Sequence, residues 1–271
     1  MSDTAPVMLV TGGASGIGAG CAQRFAAAGY RVMIADIQDE KGVRLAAELG
    51  ADARYVHLDV GKETDFEHAI NATVALWGRL DCVINNAAIV GVIGPLAETS
   101  LEEWDHAYAV IQRSVFLGTK HAARVMQPRR TGAIINIASA AGFVAGYSPH
   151  AYSTAKAAVV HFTHSSALEL IEDNIRVNCI CPGNIETPIH TGVTDDRWLA
   201  RMAKIRVAQQ DDQPLPRFGL PAEIAAAALW LASDESSYVV GHALTVDGGL
   251  LAGRPWRKQA APMRVYHPAK S

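Results

Sequence analysis

The 271-residue chain lacks an excess of either charge: 24 Lys and Arg stand against 27 Asp and Glu, a formal net charge of −3. No basic face of the kind a nucleic-acid partner needs is legible. No run approaches the roughly 18 apolar residues of a membrane span. Met1 to Pro6 is short and polar, without the apolar core of a signal segment. A soluble cytoplasmic protein with no membrane or nucleic-acid partner is the resulting expectation. Cysteine is scarce, with only Cys21, Cys82, Cys179 and Cys181. Cys179 and Cys181 bracket one residue of a β-like run and share one face of it, and no second pair has metal-ligand spacing. Buried reduced thiols and no bound metal are expected. The ten histidines form no H-E-x-x-H, and His161 and His164, three apart on a helix, read as structural or exposed.

What is present is apolar material in alternating units. About half the residues (49%) are hydrophobic, enough for a sizeable packed core. Short β-rich runs read at Val7–Val10, Arg31–Ala35, Ala53–Leu58, Leu80–Ile84, Ala133–Ile137, Ile175–Ile180 and Ala243–Val246. Helical patterns read at Gly16–Ala28, stopped by Gly29, and at Glu63–Leu76, Ala151–Ile171 and Pro221–Ala232. Ser100 and Glu103 form a capping-box signature for a long helix running to about Met126. Strands alternating with helices imply a parallel sheet covered on both faces, a doubly wound α/β fold. No linker divides the chain, so residues 1–250 read as one catalytic and nucleotide-binding domain and 251–271 as a tail. Thr187–Gly219 is long, polar and Pro-bearing, which suggests a lid over a site.

Two constellations carry chemistry. The first strand runs straight into Thr11-Gly12-Gly13-Ala14-Ser15-Gly16-Ile17-Gly18, with a helix next. Glycines allow a tight turn and close approach of the backbone to a pyrophosphate, and the helix N-terminus presents free N–H groups. Asp36 ends the second strand, 18 positions past Gly18. A carboxylate there accepts from the ribose 2′-OH of NAD and repels the 2′-phosphate of NADP. No basic residue at Ser15 or Ile37 offsets that repulsion. The competing explanation is an ordinary tight turn with a solvated Asp36. The second constellation is Tyr152-x-x-x-Lys156, which shares one face of a helix. A nearby ammonium favours phenolate, so Lys156 is expected to lower Tyr152 and fit it for proton exchange with an alcohol. Ser139 follows a strand and can bond the substrate oxygen. An exposed Tyr/Lys pair on a helix is the bland alternative.

From about Val7 to Leu250 the chain resembles the classical short-chain dehydrogenase/reductase family. The Gly12-x3-Gly16-x-Gly18 spacing, Ser139 and Tyr152-x3-Lys156 carry the resemblance. It implies a Rossmann-type sheet, catalytic Ser139, Tyr152 and Lys156, and NAD as cofactor. Lys156 has a double family role, tuning the tyrosine and bonding the nicotinamide ribose. Further matches imply cofactor contacts at Asp59 and Val60, at Asn86 and Ala87 within Asn85-Asn86-Ala87-Ala88, and at Pro182, Gly183, Ile185 and Thr187. Asp247-Gly248-Gly249 also matches. One position departs. The family carries an Asn seven residues after the Trp of a Trp-Asp pair, where it helps hold a water on the proton path. From Trp104 that position is Ile111, so a backbone carbonyl or Ser114 is expected to take over.

Ala140, Ala141, Phe143, Tyr147 and His150 are the expected substrate-pocket residues, with the lid. Their character suggests a hydrophobic, cyclic secondary alcohol or ketone. The resemblance also implies a homodimer or homotetramer built on the long helices, and the tail Leu250–Ser271 is expected to pack on a neighbouring subunit. Two alternatives remain at this level: a nucleotide-binding sensor or scaffold with little turnover, favoured only by Ile111, and dehydration or epimerisation chemistry.

Overall fold

A computed structural model describes residues 5–192, 197–209 and 213–260. Seven strands form one sheet: β1 Val7–Thr11, β2 Arg31–Asp36, β3 Ala53–His57, β4 Cys82–Asn85, β5 Gly132–Ile137, β6 Ile175–Pro182 and β7 Ala243–Val246. Their order is β3-β2-β1-β4-β5-β6-β7, and every neighbouring pair is parallel. The doubly wound α/β architecture is as the alternation implies.

Both faces of the sheet are covered because its strands are apolar on both. On one side α1 Gly16–Ala27, α2 Asp39–Leu49 and α8 Pro221–Ala232 bury Cys21, Phe25, Leu45, Ile224 and Leu231 against Val10, Ile34 and Ile84. On the other, α3 Glu63–Trp77, α5 Ser114–Met126 and α6 His150–Leu170 bury Phe66, Ile70, Leu117 and Ala167 against Leu9, Val83 and Ile134. Each fully buried Phe contributes roughly 3 kcal/mol of transfer free energy. The four cysteines are free and buried, as expected.

The structure corrects the sequence reading in several places. Helix α2 has no counterpart in it. Its buried residues, Gly42, Leu45 and Ala46, follow the helical period opposite a charged face. Leu80 precedes the strand rather than opening it. The long helix exists but changes pitch: α4 Leu101–Tyr108 and α5 are joined by a π turn at Ala109–Arg113. The Ser100 cap is present, with its hydroxyl accepting from the Glu103 N–H at 3.2 Å. The expected lid contains a helix of its own, α7 Arg197–Gln209.

Chain order reverses at β1, which lies between β2 and β4. Beyond the C-terminal ends of such strands a crevice opens. The loops after β1, β4, β5 and β6 all reach it, and they carry the residues singled out from the sequence. Among the described residues no helix is long and apolar enough to cross a membrane.

Candidate active site

The turn after β1 fits a dinucleotide. Gly12 and Gly16 have φ of 62° and 53°, the left-handed region that favours glycine. A Cβ on Gly12 would lie 2.9 Å from the Ala87 Cα, and one on Gly18 would lie 2.1 Å from the Gly12 carbonyl oxygen. The space is therefore closed to any side chain. Ser15 makes no side-chain cap, so the first N–H groups of α1, at Gly16, Ile17 and Gly18, remain available for an anion.

Asn86 holds this turn to β4. Its side-chain amide donates to the Thr11 carbonyl (2.9 Å) and the Gly12 carbonyl (3.1 Å), and its backbone N–H donates to the Thr11 hydroxyl. The adjacent Ala87 N–H reaches the same hydroxyl at 3.2 Å. Asp36 is only 5% exposed. Its carboxylate accepts from the Ala14 N–H and the Gln38 N–H, each at 3.0 Å. The Gln38 side-chain amide also donates to it, at 3.3 Å; a carboxylate has about four acceptor positions, so room for one ribose hydroxyl remains. Asp59 is used locally, bonded to the Gly61 N–H at 2.9 Å and paired with Lys62, and Val60 is buried beside it.

Ser139 follows β5. Its hydroxyl accepts from the Ala141 N–H at 3.1 Å and starts a short turn, Ala140–Gly142. That turn rests on α6: a Cβ on Gly142 would meet the Lys156 carbonyl carbon at 3.0 Å. The turn and α6 thus bring the side chains of Ser139 and Tyr152, 13 residues apart, beside one another. Lys156 is 2% exposed; its ammonium donates to the Ile137 carbonyl at 2.5 Å and lies 5.7 Å from the centre of the Tyr152 ring.

The charges here differ from expectation. Burial pushes the Tyr152 phenol up, and only the neighbouring Ser139 hydroxyl draws it down. Lys156 does not lower it. Its ammonium bonds the Ile137 carbonyl instead of the phenol oxygen, and burial drives its own pKa down to about 8.

Ile111 is fully buried in the π turn and packs with Ala107, Ala151 and Ala155, and against Tyr152. The wide turn carries the Ser114 N–H back to the Ala109 carbonyl, five residues earlier. The Ser114 hydroxyl takes the Val110 carbonyl at 2.6 Å. Pi turns of this kind recur at functional sites; nothing in the residue pattern betrays this one.

At the end of β6, Gly183 packs on Asp247, within 2.8 Å of its Cα for an added Cβ. Pro182 is the last residue of β6, and Ile185 makes a β-bridge to Gly219. Thr187 is buried and faces Gly16: a Cβ there would touch its methyl at 3.1 Å. Three contacts tie the lid down that the sequence reading missed. Glu186 pairs with Arg206 of α7 at 2.9 Å. His190 lies beside the backbone of Ile185, and burial holds it below the usual histidine value. Its ring meets Phe218 edge-on at 5.6 Å. A lone His in a polar loop carries no sequence signal for that role.

Of the expected pocket residues, Phe143 and Tyr147 are half-exposed at 48% and 53%, and His150 is exposed. Ala140 and Ala141 are buried beneath them, since the turn they form packs on α6, and they do not line open space. The start of the tail docks on its own chain: Arg257 donates to the Gln213 carbonyl at 2.9 Å and the Pro214 carbonyl at 2.8 Å. Residues 261–271 lie outside the described part.

Comparison with known proteins decides the class. A family model described as enoyl-(acyl carrier protein) reductase matches residues 12–251. The chain belongs to the short-chain dehydrogenase/reductase family. It is 48% identical to momilactone A synthase of Oryza sativa subsp. japonica, covering 90% of this chain and 89% of that one. It is 44% identical to the mitochondrial borneol dehydrogenase of Lavandula x intermedia, covering 90% of each. The crystal structure of levodione reductase superposes with a TM-score of 0.83 at 30% identity, over 93% of this chain and 99% of that one. The protein is thus an oxidoreductase of this family, working with a nicotinamide dinucleotide, NAD or NADP.

Proposed function

We propose that this short-chain dehydrogenase/reductase interconverts a hydrophobic secondary alcohol and its ketone, with NAD as the hydride carrier and Tyr152 as the acid/base. The observation that carries the reading is the juxtaposition of the Ser139 and Tyr152 side chains, with the buried Lys156 ammonium near the tyrosine ring. Ser139 holds the substrate oxygen, and Tyr152 takes its proton during oxidation or returns it during reduction. NAD+, when bound, supplies the hydride acceptor and a positive charge beside the phenol. That charge would favour phenolate, an effect the side chains alone do not achieve. Lys156 also serves the nicotinamide ribose. Gly12, Ser15, Gly16, Ile17 and Gly18 seat the pyrophosphate, Asp59, Val60 and Ala87 flank the adenosine, and Pro182, Gly183, Ile185 and Thr187 line the nicotinamide side. Ile111 offers no hydrogen bond, so the solvent end of the proton path runs through the carbonyls of the π turn or through Ser114.

NAD is favoured over NADP by Asp36, whose fixed, buried carboxylate suits a ribose hydroxyl and opposes a phosphate. The half-exposed Phe143 and Tyr147 favour an apolar, cyclic substrate body. The test is loss of nicotinamide absorbance when the protein meets cyclic, aromatic and steroid ketones with NADH, and with NADPH in parallel. Turnover with NADH supports the reading; NADH binding without turnover in any well points to a sensor. Asp36→Ala is expected to raise NADPH use relative to NADH by about tenfold, the worth of one charge-assisted hydrogen bond. Unchanged selectivity removes Asp36 from that role.

A further inference from the structure

Beside Asp36, three elements meet on one phenol. Tyr55 stands on β3, and its hydroxyl lies 2.6 Å from the Asp36 carbonyl oxygen and 2.5 Å from the Asp39 carboxylate. Asp36 ends β2 and Asp39 opens α2. One side chain therefore holds both ends of the loop between them. His57, two residues on and on the same face of β3, brings its Nδ1 to 2.7 Å from the same Asp39 oxygen. A carboxylate only accepts, so the ring nitrogen that faces it carries the hydrogen. The phenol, and after it the imidazole, holds the Asp39 carboxyl below its ordinary value, while burial and then Asp39 push the phenol up. The pair is thus a protonated donor facing an ionised acceptor.

This arrangement is built. A Cβ on Gly42 would lie 2.2 Å from two carbons of the Tyr55 ring, so α2 rests on that ring only because residue 42 has no side chain. The sheet itself has no need of the phenol: the Asp36 carbonyl already accepts the Leu58 N–H at 3.0 Å, from the neighbouring strand. What the hydroxyl adds is a tie between the end of β2 and the start of α2. The Asp36 carboxylate depends on what lies between. Besides the Ala14 N–H it accepts the backbone N–H and the side-chain amide of Gln38. The Lys41 ammonium takes the Gln38 amide oxygen at 3.0 Å, which turns the amide nitrogen toward Asp36. Apart from Ala14, the groups that orient this carboxylate belong to the loop that Tyr55 closes.

We infer that Tyr55 is a positioning residue for cofactor choice: by tying Asp36 to Asp39 it fixes the Asp36 carboxylate where a ribose hydroxyl can bond it and a 2′-phosphate is repelled. It acts through Asp36 and makes no bond of its own to the dinucleotide. This rests on the assignment of NAD selection to Asp36 above.

Dissociation constants for NADH and for NADPH are measured by nicotinamide fluorescence, which needs no substrate. The proteins are the wild type, Tyr55→Phe, Asp39→Ala, Asp36→Ala and the double variants Tyr55→Phe/Asp36→Ala and Tyr55→Phe/Asp39→Ala. Phenylalanine keeps the ring on Gly42 and removes only the tie. Tyr55→Phe is expected to lower the preference for NADH over NADPH about fivefold, the worth of one hydrogen bond. Asp39→Ala cuts the tie from its other end and should lower the preference in the same direction. Neither double variant should lose more than the larger of its single variants, because one group acts through the other. The ratio of the two constants is internal to each protein, so a loss of folded material leaves it unchanged. An unchanged ratio in Tyr55→Phe overturns the inference, and so do losses that add in either double variant, since Tyr55 or Asp39 would then act on the cofactor independently. Asp36→Ala without effect on the ratio removes the Asp36 reading itself, and this inference with it.

Discussion

At the turn after β1, an added Cβ would meet backbone at Gly12 and Gly18, and the Thr11 and Gly12 carbonyls and the Asp36 carboxylate are bonded to groups from β4 and the neighbouring loops. At the loop after β5, Phe143 and Tyr147 stand half in solvent. The first region is made of main chain and buried polar bonds. The second is made of side chains that few neighbours restrain. The contrast matches the demands on each. A pyrophosphate is recognised by N–H groups at fixed positions, so the backbone must be invariant in shape. A substrate body is recognised by surface, which side chains can alter without moving the frame.

The sharpest way to break this comparison is at the junction of the two regions. Tyr152→Phe removes one hydroxyl and should lower turnover by about 10²–10⁴-fold while leaving the dissociation constant for NADH within about twofold, since acid–base catalysis is worth that much. A variant that also loses the cofactor would place the phenol in the cofactor frame. Gly18→Ala strikes the backbone-built region, because its Cβ would lie 2.1 Å from the Gly12 oxygen. It should weaken NADH binding by at least tenfold and cost about 1–3 kcal/mol in denaturant unfolding, the range for overpacking.

Lys156 offers a third test, through pH. Its pKa falls from 10.5 to about 8 on burial. Between those values the unfolded chain holds more protons than the folded one, so folding gains as pH rises through the window. Below about 8 the full cost of the buried charge is present. The cofactor-free wild type should therefore gain about 3 kcal/mol relative to Lys156→Met between pH 7 and pH 10.5. Urea unfolding of both proteins at the two pH values measures it, and a flat difference would mean that the ammonium is not desolvated. The smallest stability effect belongs to the side-chain-built region. Phe143→Ala should stay within about 0.5 kcal/mol in stability, as expected of an exposed position, yet change KM between bulky and small ketones.

Much of this was legible before any coordinates. The strand-turn-helix at Val7–Gly18 and Asp36 were readable because a glycine turn and an acidic strand end have few other uses in that order. The i, i+4 spacing of Tyr152 and Lys156 was readable because helical periodicity is local. Helix α2 shows its apolar stripe, Gly42, Leu45, Ala46 and Leu49, at helical spacing, so that helix was readable from local periodicity and was missed. Other features left no local mark. The π turn adds one residue to a helix, and no residue type signals it. The grip of His190 on the segment after β6 joins parts of the lid that only folding brings together.

By itself the sequence determined the alternation of strands and helices, and hence a parallel sheet with two covered faces. It also determined which residues could turn tightly at a phosphate and which could exchange a proton. Those are consequences of backbone sterics and side-chain chemistry, and they travel with each short segment. The tertiary structure alone decided that Ser139 meets Tyr152 and that Lys156 is buried deeply enough to resist its own charge. Each of these is a distance or a degree of burial set by elements far apart in the chain, and dielectric and contact act through space without regard to sequence separation.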